Sequence, residues 1–154
     1  MHNKIYQIGR ERINGDDFIT ECDFMPENYS HFADWIQDVD NDEYEELYKR
    51  LDHQFEGVFT RDGDELTYIG AEKFMEKWLA HIKAFVEPLT VESMKDWYPM
   101  FKVEDIIKNT HLCTPTKIYV DEEIQDLGDF MRSVFAEAKP GDKLYLGGII
   151  DYHW

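Results

Sequence analysis

The residues of this 154-residue chain whose types could do chemistry are 33 acidic side chains, six histidines and two cysteines. Asp38, Asp40 and Asp42 alternate as the first three ligands of a calcium loop do, because such a loop draws oxygens from its positions 1, 3 and 5. Position 6, however, is Glu43 where the sharp turn needs Gly, and position 12 is Lys49 where a bidentate Glu should complete the shell. No calcium site is expected, and the stretch reads instead as the start of a helix capped by Asp40 or Asp42. His2, His31, His53, His81, His111 and His153 form no HExxH and no i, i+4 ligand pair, so no metal is expected. Cys22 and Cys113 stand apart without CxxC spacing and read as buried free thiols.

Asp151 and His153 share one face of the final strand, since strand side chains alternate, and His111 and Cys113 could share a face in an extended segment. If these segments converge, His111, Asp151 and His153 are the polar contacts of a small-molecule site. The chain has no GxSxG elbow, no GxxxxGK[ST] loop and no GxGxxG after a strand, and Gly147-Gly148 inside the last strand marks a β-bulge. No cofactor is expected.

Charge is the strongest functional signal. The formal balance is −17, from 33 Asp and Glu against 16 Lys and Arg. Such a field repels nucleic acid and anionic membranes, whose phosphates need Lys and Arg to displace their counterions, and it speeds encounter with a basic protein. The densest run is Asp38, Asp40, Asp42, Glu43, Glu45 and Glu46, with no base before Lys49 and Arg50. On a helix that turns Tyr44, Leu47 and Tyr48 inward, these acids project as a negative knob. The leading reading is therefore a non-enzymatic binder of a basic protein partner, of the kind an immunity protein or a nucleic-acid mimic represents, with Asp38, Asp40, Asp42, Glu43 and Glu46 as its contact residues. The alternative is a small-molecule-binding domain or small enzyme with an aromatic pocket between sheet and helices. A third reading, an obligate oligomer, requires a large exposed apolar patch.

The elements that must position these groups form a single α+β domain over 1–154, a mostly antiparallel or mixed sheet packed on amphipathic helices. A hydrophobic fraction of 43%, with 15% aromatic residues, is enough to fold one core. No apolar run approaches a membrane span and Met1 to Arg12 lacks a signal peptide's apolar core, so a cytoplasmic location is expected. Apolar residues recur at helical spacing from Ala71 to Glu87, and a second helix is expected after Asp121 with Ile124, Leu127, Met131, Val134, Phe135 and Ala138 inward. Phe74, Trp78, Ile82, Phe85, Leu127, Met131 and Phe135 are expected in one core. Tyr44 to Leu51 predicts a further helix, and Phe32 to Val39 a short one. Asp62-Gly63 calls for a hairpin pairing Phe59 with Leu66 and Arg61 with Asp64. Asn14-Gly15 calls for another, with Arg12 opposite Asp17, against the rival of a short helix from Asp16 to Cys22. Leu144 to Trp154 reads as a central strand covered on both faces. The least legible part is Val91 to Thr116, read as helical turns before Pro99 and around Val103 to Lys108, then an extended segment.

Overall fold

The computed structural model describes residues 2–24, 33–110 and 116–153. Its elements run β1 (His2–Gly9), β2 (Trp35–Asp38), α1 (Tyr44–Gln54), β3 (Phe59–Asp62), β4 (Glu65–Tyr68), α2 (Glu72–Val86), α3 (Trp97–Asn109), β5 (Lys117–Val120), β6 (Glu123–Asp126), α4 (Leu127–Glu137) and β7 (Lys143–His153). The strands make one seven-stranded mixed sheet in the order β3-β4-β7-β1-β5-β6. β2 also pairs with β7, so the long final strand holds β4 along its first half and β2 along its second, with β1 on its other side. β1 and β5 are parallel and the remaining pairs antiparallel. The architecture is α+β, in one compact domain. Among the described residues no helix is long and apolar enough to cross a membrane.

Strand alternation sorts the core into two layers. Tyr6 and Ile8 of β1 join the helix-side cluster with Leu51, Phe55, Trp78, Ile106 and Met131, while Ile5 joins Ile150, Tyr152, Ile19 and Phe24 on the other face. β7 is thus covered on both faces, as its near-continuous apolar run requires. Tyr6 pairs with Ile149 but Ile8 with Leu146, so Gly147 and Gly148 together oppose Gln7. This bulge resets the alternation, and Leu146 and Ile149 both reach the helix layer. Glycine is required there: a Cβ on Gly148 would lie 2.8 Å from the backbone N and O of Ile19. Helix α1 is pinned to the same place, because Tyr48 Oη donates to Gly147 O at 2.7 Å and Tyr6 Oη to Leu47 O at 3.2 Å.

Several expectations are corrected. The helix expected from Asp121 starts at Leu127, after Asp126. Asp121 and Glu122 have φ of 50° and 65° and form the tight turn between β5 and β6, the left-handed pair that a two-residue hairpin needs. With the helix start moved, Leu127, Phe130, Met131 and Val134 form the buried stripe, and Phe135 is 45% exposed rather than core. Trp35 to Asp38 is a strand edge-paired to β7, not a helix; Phe32 lies outside the described residues. No hairpin forms at Asn14-Gly15. Gly15–Asp17 and Glu21–Phe24 are 3-10 turns, and Arg12 pairs with Asp64 at 3.0 Å. The hairpin at Gly63 exists with a different register, Phe59 facing Tyr68 and Arg61 facing Leu66. Its loop is Gly63-Asp64, which puts Gly63, φ 61°, at the loop position where left-handed backbone is needed. The segment before β5 holds a full helix, α3, with Pro99 tolerated in its first turn. Cys22 is exposed, not buried, and Cys113 lies outside the described residues.

Candidate functional site

The acidic run takes the following form. Asp38 ends β2, Asp40 precedes a 3-10 turn over Asn41–Glu43, and Glu45 and Glu46 stand in the first turn of α1. All six carboxylates are exposed. Asp40 flanks the turn but its side chain makes no capping bond, so the expected helix-cap role is not what holds it. Glu45 and Glu46 leave the uncompensated set. Arg61 Nη2 reaches Glu45 at 3.0 Å while its Nε holds Asp52 at 2.9 Å, and Arg50 holds Glu46 at 2.6 Å. Hydrogen bonding from the Arg61 guanidinium draws the Glu45 carboxyl below its usual range. Sequence reasoning counts Lys49 and Arg50 as the neighbouring bases and misses Arg61, which β3 brings across.

Tertiary structure replaces those two acids with others. The loop from Asn14 to Phe24 folds back beside the β2–α1 connection, where Asp38 Oδ1 accepts the Glu21 backbone N–H at 2.6 Å and Phe18 stacks on Tyr44 with centroids 6.0 Å apart. Between the two loops lie depressions of about 300 and 360 Å³, sharing Asp16, Phe18, Ile19 and Thr20. Asp17 and Asp23 border one, Asp38 and Asp40 the other, and no Lys or Arg among the described residues lines either. Asp23 spends one oxygen on the Thr20 backbone N–H at 2.7 Å. The result is an acidic groove floored by Phe18, Val39 and Tyr44, a surface suited to Lys and Arg side chains because cations gain both from the carboxylates and from aromatic faces.

One side chain fixes this loop to the sheet. Gln7, opposite the bulge, accepts the N–H of Ile19 at 3.0 Å and of Gly148 at 2.8 Å, and its Nε2 donates to Asp17 O at 3.1 Å. Gln7→Leu keeps the shape and strands these donors, so stability should fall by about 1–3 kcal/mol in urea denaturation, with the first loss of amide-exchange protection at Ile19. Protection at Ile19 equal to wild type would show that the loop is held by something else.

A signal for the missed acids is present in the sequence. The stretch from Ile13 to Tyr48 contains 12 Asp and Glu and no Lys or Arg, contributing −12 of the chain's −17. The dense run from Asp38 is the later part of this longer one, whose earlier part holds Asp16, Asp17, Glu21 and Asp23.

The alternative site separates. Asp151 and His153 share a face as expected, at the outer end of β7, but neither lines a described pocket. Asp151 is held by Lys4 at 3.0 Å and His2 at 3.4 Å, leaving its Oδ1 buried without a partner among the described residues. His153 Nδ1 meets Asp34 Oδ1 at 2.7 Å, and that hydrogen bond keeps the Asp34 carboxyl below its ordinary range. His111 lies outside the described residues. An aromatic cavity of about 260 Å³ does open between the sheet and α4, lined by Phe59, Tyr68 and Phe130 without any of these residues. Among the described residues no group of three or more His, Cys, Asp or Glu is placed to hold a metal ion. A separate apolar cluster, with Met94, Trp97 and Tyr98 among its members, lies exposed around the start of α3, Trp97 at 71%; nothing in the structure shows what covers it. No family model, curated protein or solved structure matches this chain.

Proposed function

We propose that this protein is a non-enzymatic binder of a basic protein, which docks Lys and Arg side chains in the groove between the Asn14–Phe24 loop and the β2–α1 connection. One observation carries the reading: the 12 acids of a single sequence stretch without Lys or Arg account for most of the net charge, and Asp16, Asp17, Asp23, Asp38 and Asp40 among them line two adjoining depressions. Like charges gathered this way repel one another and destabilise their own fold slightly, a cost that a partner's cations relieve on docking. Asp38, Asp40, Asp42 and Glu43 remain contact residues, Asp16, Asp17 and Asp23 join them, and Glu46, held by Arg50, lies outside the set. Complementary charge acts chiefly on encounter, so the role is to capture a cationic surface quickly and cover it.

The test begins with a partner retained from native lysate on the immobilised chain and then measures association kinetics. Changing Asp16, Asp17, Asp38 and Asp40 together to Asn keeps shape, and the amide oxygen that replaces the Asp38 carboxylate can still accept the Glu21 N–H. Association at low salt should slow by about tenfold or more, with a flatter salt dependence and an unchanged circular dichroism spectrum. An on-rate equal to wild type at low salt, or a partner whose contact surface carries no excess of Lys and Arg, would overturn the assignment.

A further inference from the structure

Away from the acidic groove, a pocket of about 420 Å³ opens between the C-terminal end of α1, one face of α2 and Thr110, the residue that ends α3. We propose that this pocket binds a small hydroxylated aromatic carboxylate, its carboxylate at Lys73 and Lys77, its ring against Phe74 and its hydroxyl toward Gln54 and Thr110.

Its charge is the first reason. In a chain of −17, the lining carries Lys73 and Lys77 one helical turn apart, with His53 and His81 nearby and Glu56 the single acid among the described residues. Lys73 and Lys77 have no ion-pair partner among the described residues, whereas six other lysines of the chain do. Two ammonium groups on one helix face repel each other, and a shared anion relieves that repulsion. The wall is the second reason. Phe74 is half-buried and lines the pocket, backed by Trp78, which is 6% exposed, donates its Nε1 to Ile106 O at 2.7 Å and carries the Arg132 guanidinium over its ring. An inorganic anion would gain nothing from these rings, while a planar aromatic acid uses both wall and lysines.

The third reason lies behind the wall. Gln54 Oε1 and Thr110 Oγ1 are both shut off from water and lack a hydrogen-bond partner among the described residues, although both residues line the pocket. Buried polar atoms in native proteins are nearly always paired, so two atoms at one pocket without a partner among the described residues leave places for a ligand's polar group. Thr110 is 1% exposed and holds φ at 61°, a strained conformation for a β-branched residue of the kind that persists at ligand sites. A ligand hydroxyl there would donate to Gln54 Oε1 and accept from the Thr110 hydroxyl, which selects a hydroxylated ring over a plain one. Because this site shares no residue with the acidic groove, it stands or falls independently of the partner-binding reading.

The test is a titration of the full chain, followed by calorimetry and amide chemical shifts, with three probes: 4-hydroxybenzoate, the isosteric neutral 4-hydroxybenzamide, and benzoate. Saturable binding of 4-hydroxybenzoate is expected, with shifts at Phe74 and Thr110. The amide should bind about tenfold more weakly or worse, the loss expected when a charge-assisted hydrogen bond disappears. Benzoate should be weaker by a smaller factor. Lys73→Met with Lys77→Met, exposed on α2 and harmless to packing, should weaken 4-hydroxybenzoate by about tenfold and erase its preference over the amide. Thr110→Ser should bind as wild type and Thr110→Val more weakly; should the valine variant not fold, the lysine pair and the amide still decide. Absence of saturable binding, equal affinity for acid and amide, indifference to the lysine substitutions, or benzoate binding as tightly as its hydroxylated form would each overturn the proposal.

Discussion

Phe130→Ala is expected to lower the free energy of unfolding by about 3–5 kcal/mol, and Phe135→Ala by only about 1 kcal/mol. The two phenylalanines sit on the same helix, five residues apart, and sequence periodicity places Phe135 in the core. With α4 starting at Leu127, Phe135 is rotated roughly 80° away from the position of Leu127, at the edge of the buried stripe, since each helical residue turns about 100°. Phe130 is 4% exposed and its ring lies 5.9 Å from that of Phe55, in the layer where Phe55 also meets Phe59. Truncating it removes the transfer free energy of a whole ring and leaves a void that a sheet on one side and a helix on the other cannot close. Phe135 gives up far less burial and leaves only a surface notch. Urea denaturation of the two variants, with unchanged m values, measures the difference directly. Equal losses would mean that the helix is phased as periodicity alone suggests. For a domain of ordinary stability, about 5–15 kcal/mol, the Phe130 loss is about a fifth of the total or more, so that variant should also show a clearly lowered thermal midpoint.

Alkaline unfolding should begin once the pH passes about 10, the ordinary tyrosine value, and should be steep. Burial pushes the hydroxyls of Tyr6, Tyr48 and Tyr152 well above that value. At Tyr6 the nearby Arg50 guanidinium works the other way, and burial outweighs it; at Tyr152 the Asp126 carboxylate adds to the effect. Tyr6 and Tyr48 use their protons as donors, to Leu47 O and Gly147 O, so ionisation would also break the bonds that seat α1 on β7. The direction follows from proton counting. Between the unfolded and folded values the unfolded chain has released these protons and the folded chain has kept them, so rising pH favours unfolding. The stabilisation is fully present below pH about 10 and is lost as pH rises toward the folded-state values, at about 1.4 kcal/mol per unit for each tyrosine, or about 4 kcal/mol for the three. Tyrosinate absorbance and far-ultraviolet dichroism followed together from neutral to strongly alkaline pH should change in one transition. If these tyrosines ionise near pH 10 while the dichroism holds, burial is not controlling them.

Most of the helices, and the strand that organises the sheet, are legible in the residues, because each carries its own periodic pattern. Trp78 and Ile82 recur at helical spacing, Leu47, Tyr48 and Leu51 likewise, and the run ending at His153 is apolar on both faces because it is covered on both. Gly147-Gly148 is readable as a bulge from the glycines alone, since a strand interior tolerates a pair of them only where backbones approach closely. The errors fall where local preference is nearly balanced and a distant partner decides. Asp121 is a good helix cap in isolation, yet pairing of β5 with β6 turns it and Glu122 into a left-handed hairpin loop. Trp35 and Ile36 fit a helix or a strand equally well, and the free second half of β7 makes them a strand. Asn14-Gly15 is a strong hairpin signal, overruled because β1 already has β7 and β5 on its two edges and leaves no edge for a returning strand.

The candidate site divides along the same line. Sequence alone determined that this chain is strongly acidic and that its negative charge gathers in the third of the chain before Lys49, because charge and its spacing are properties of the residues themselves. Only tertiary structure decided which acids stay uncompensated and face one another. Arg61, from the first strand of a later hairpin, neutralises Glu45, while Gln7 on β1 and Asp38 on β2 draw the Asn14–Phe24 loop against the β2–α1 connection to close the groove. The same holds for Lys73, Lys77, Gln54 and Thr110, which three helices bring to one pocket. Electrostatic and hydrogen-bond energies depend on separations of a few ångströms, and separations between residues far apart in the chain are set by how the elements pack.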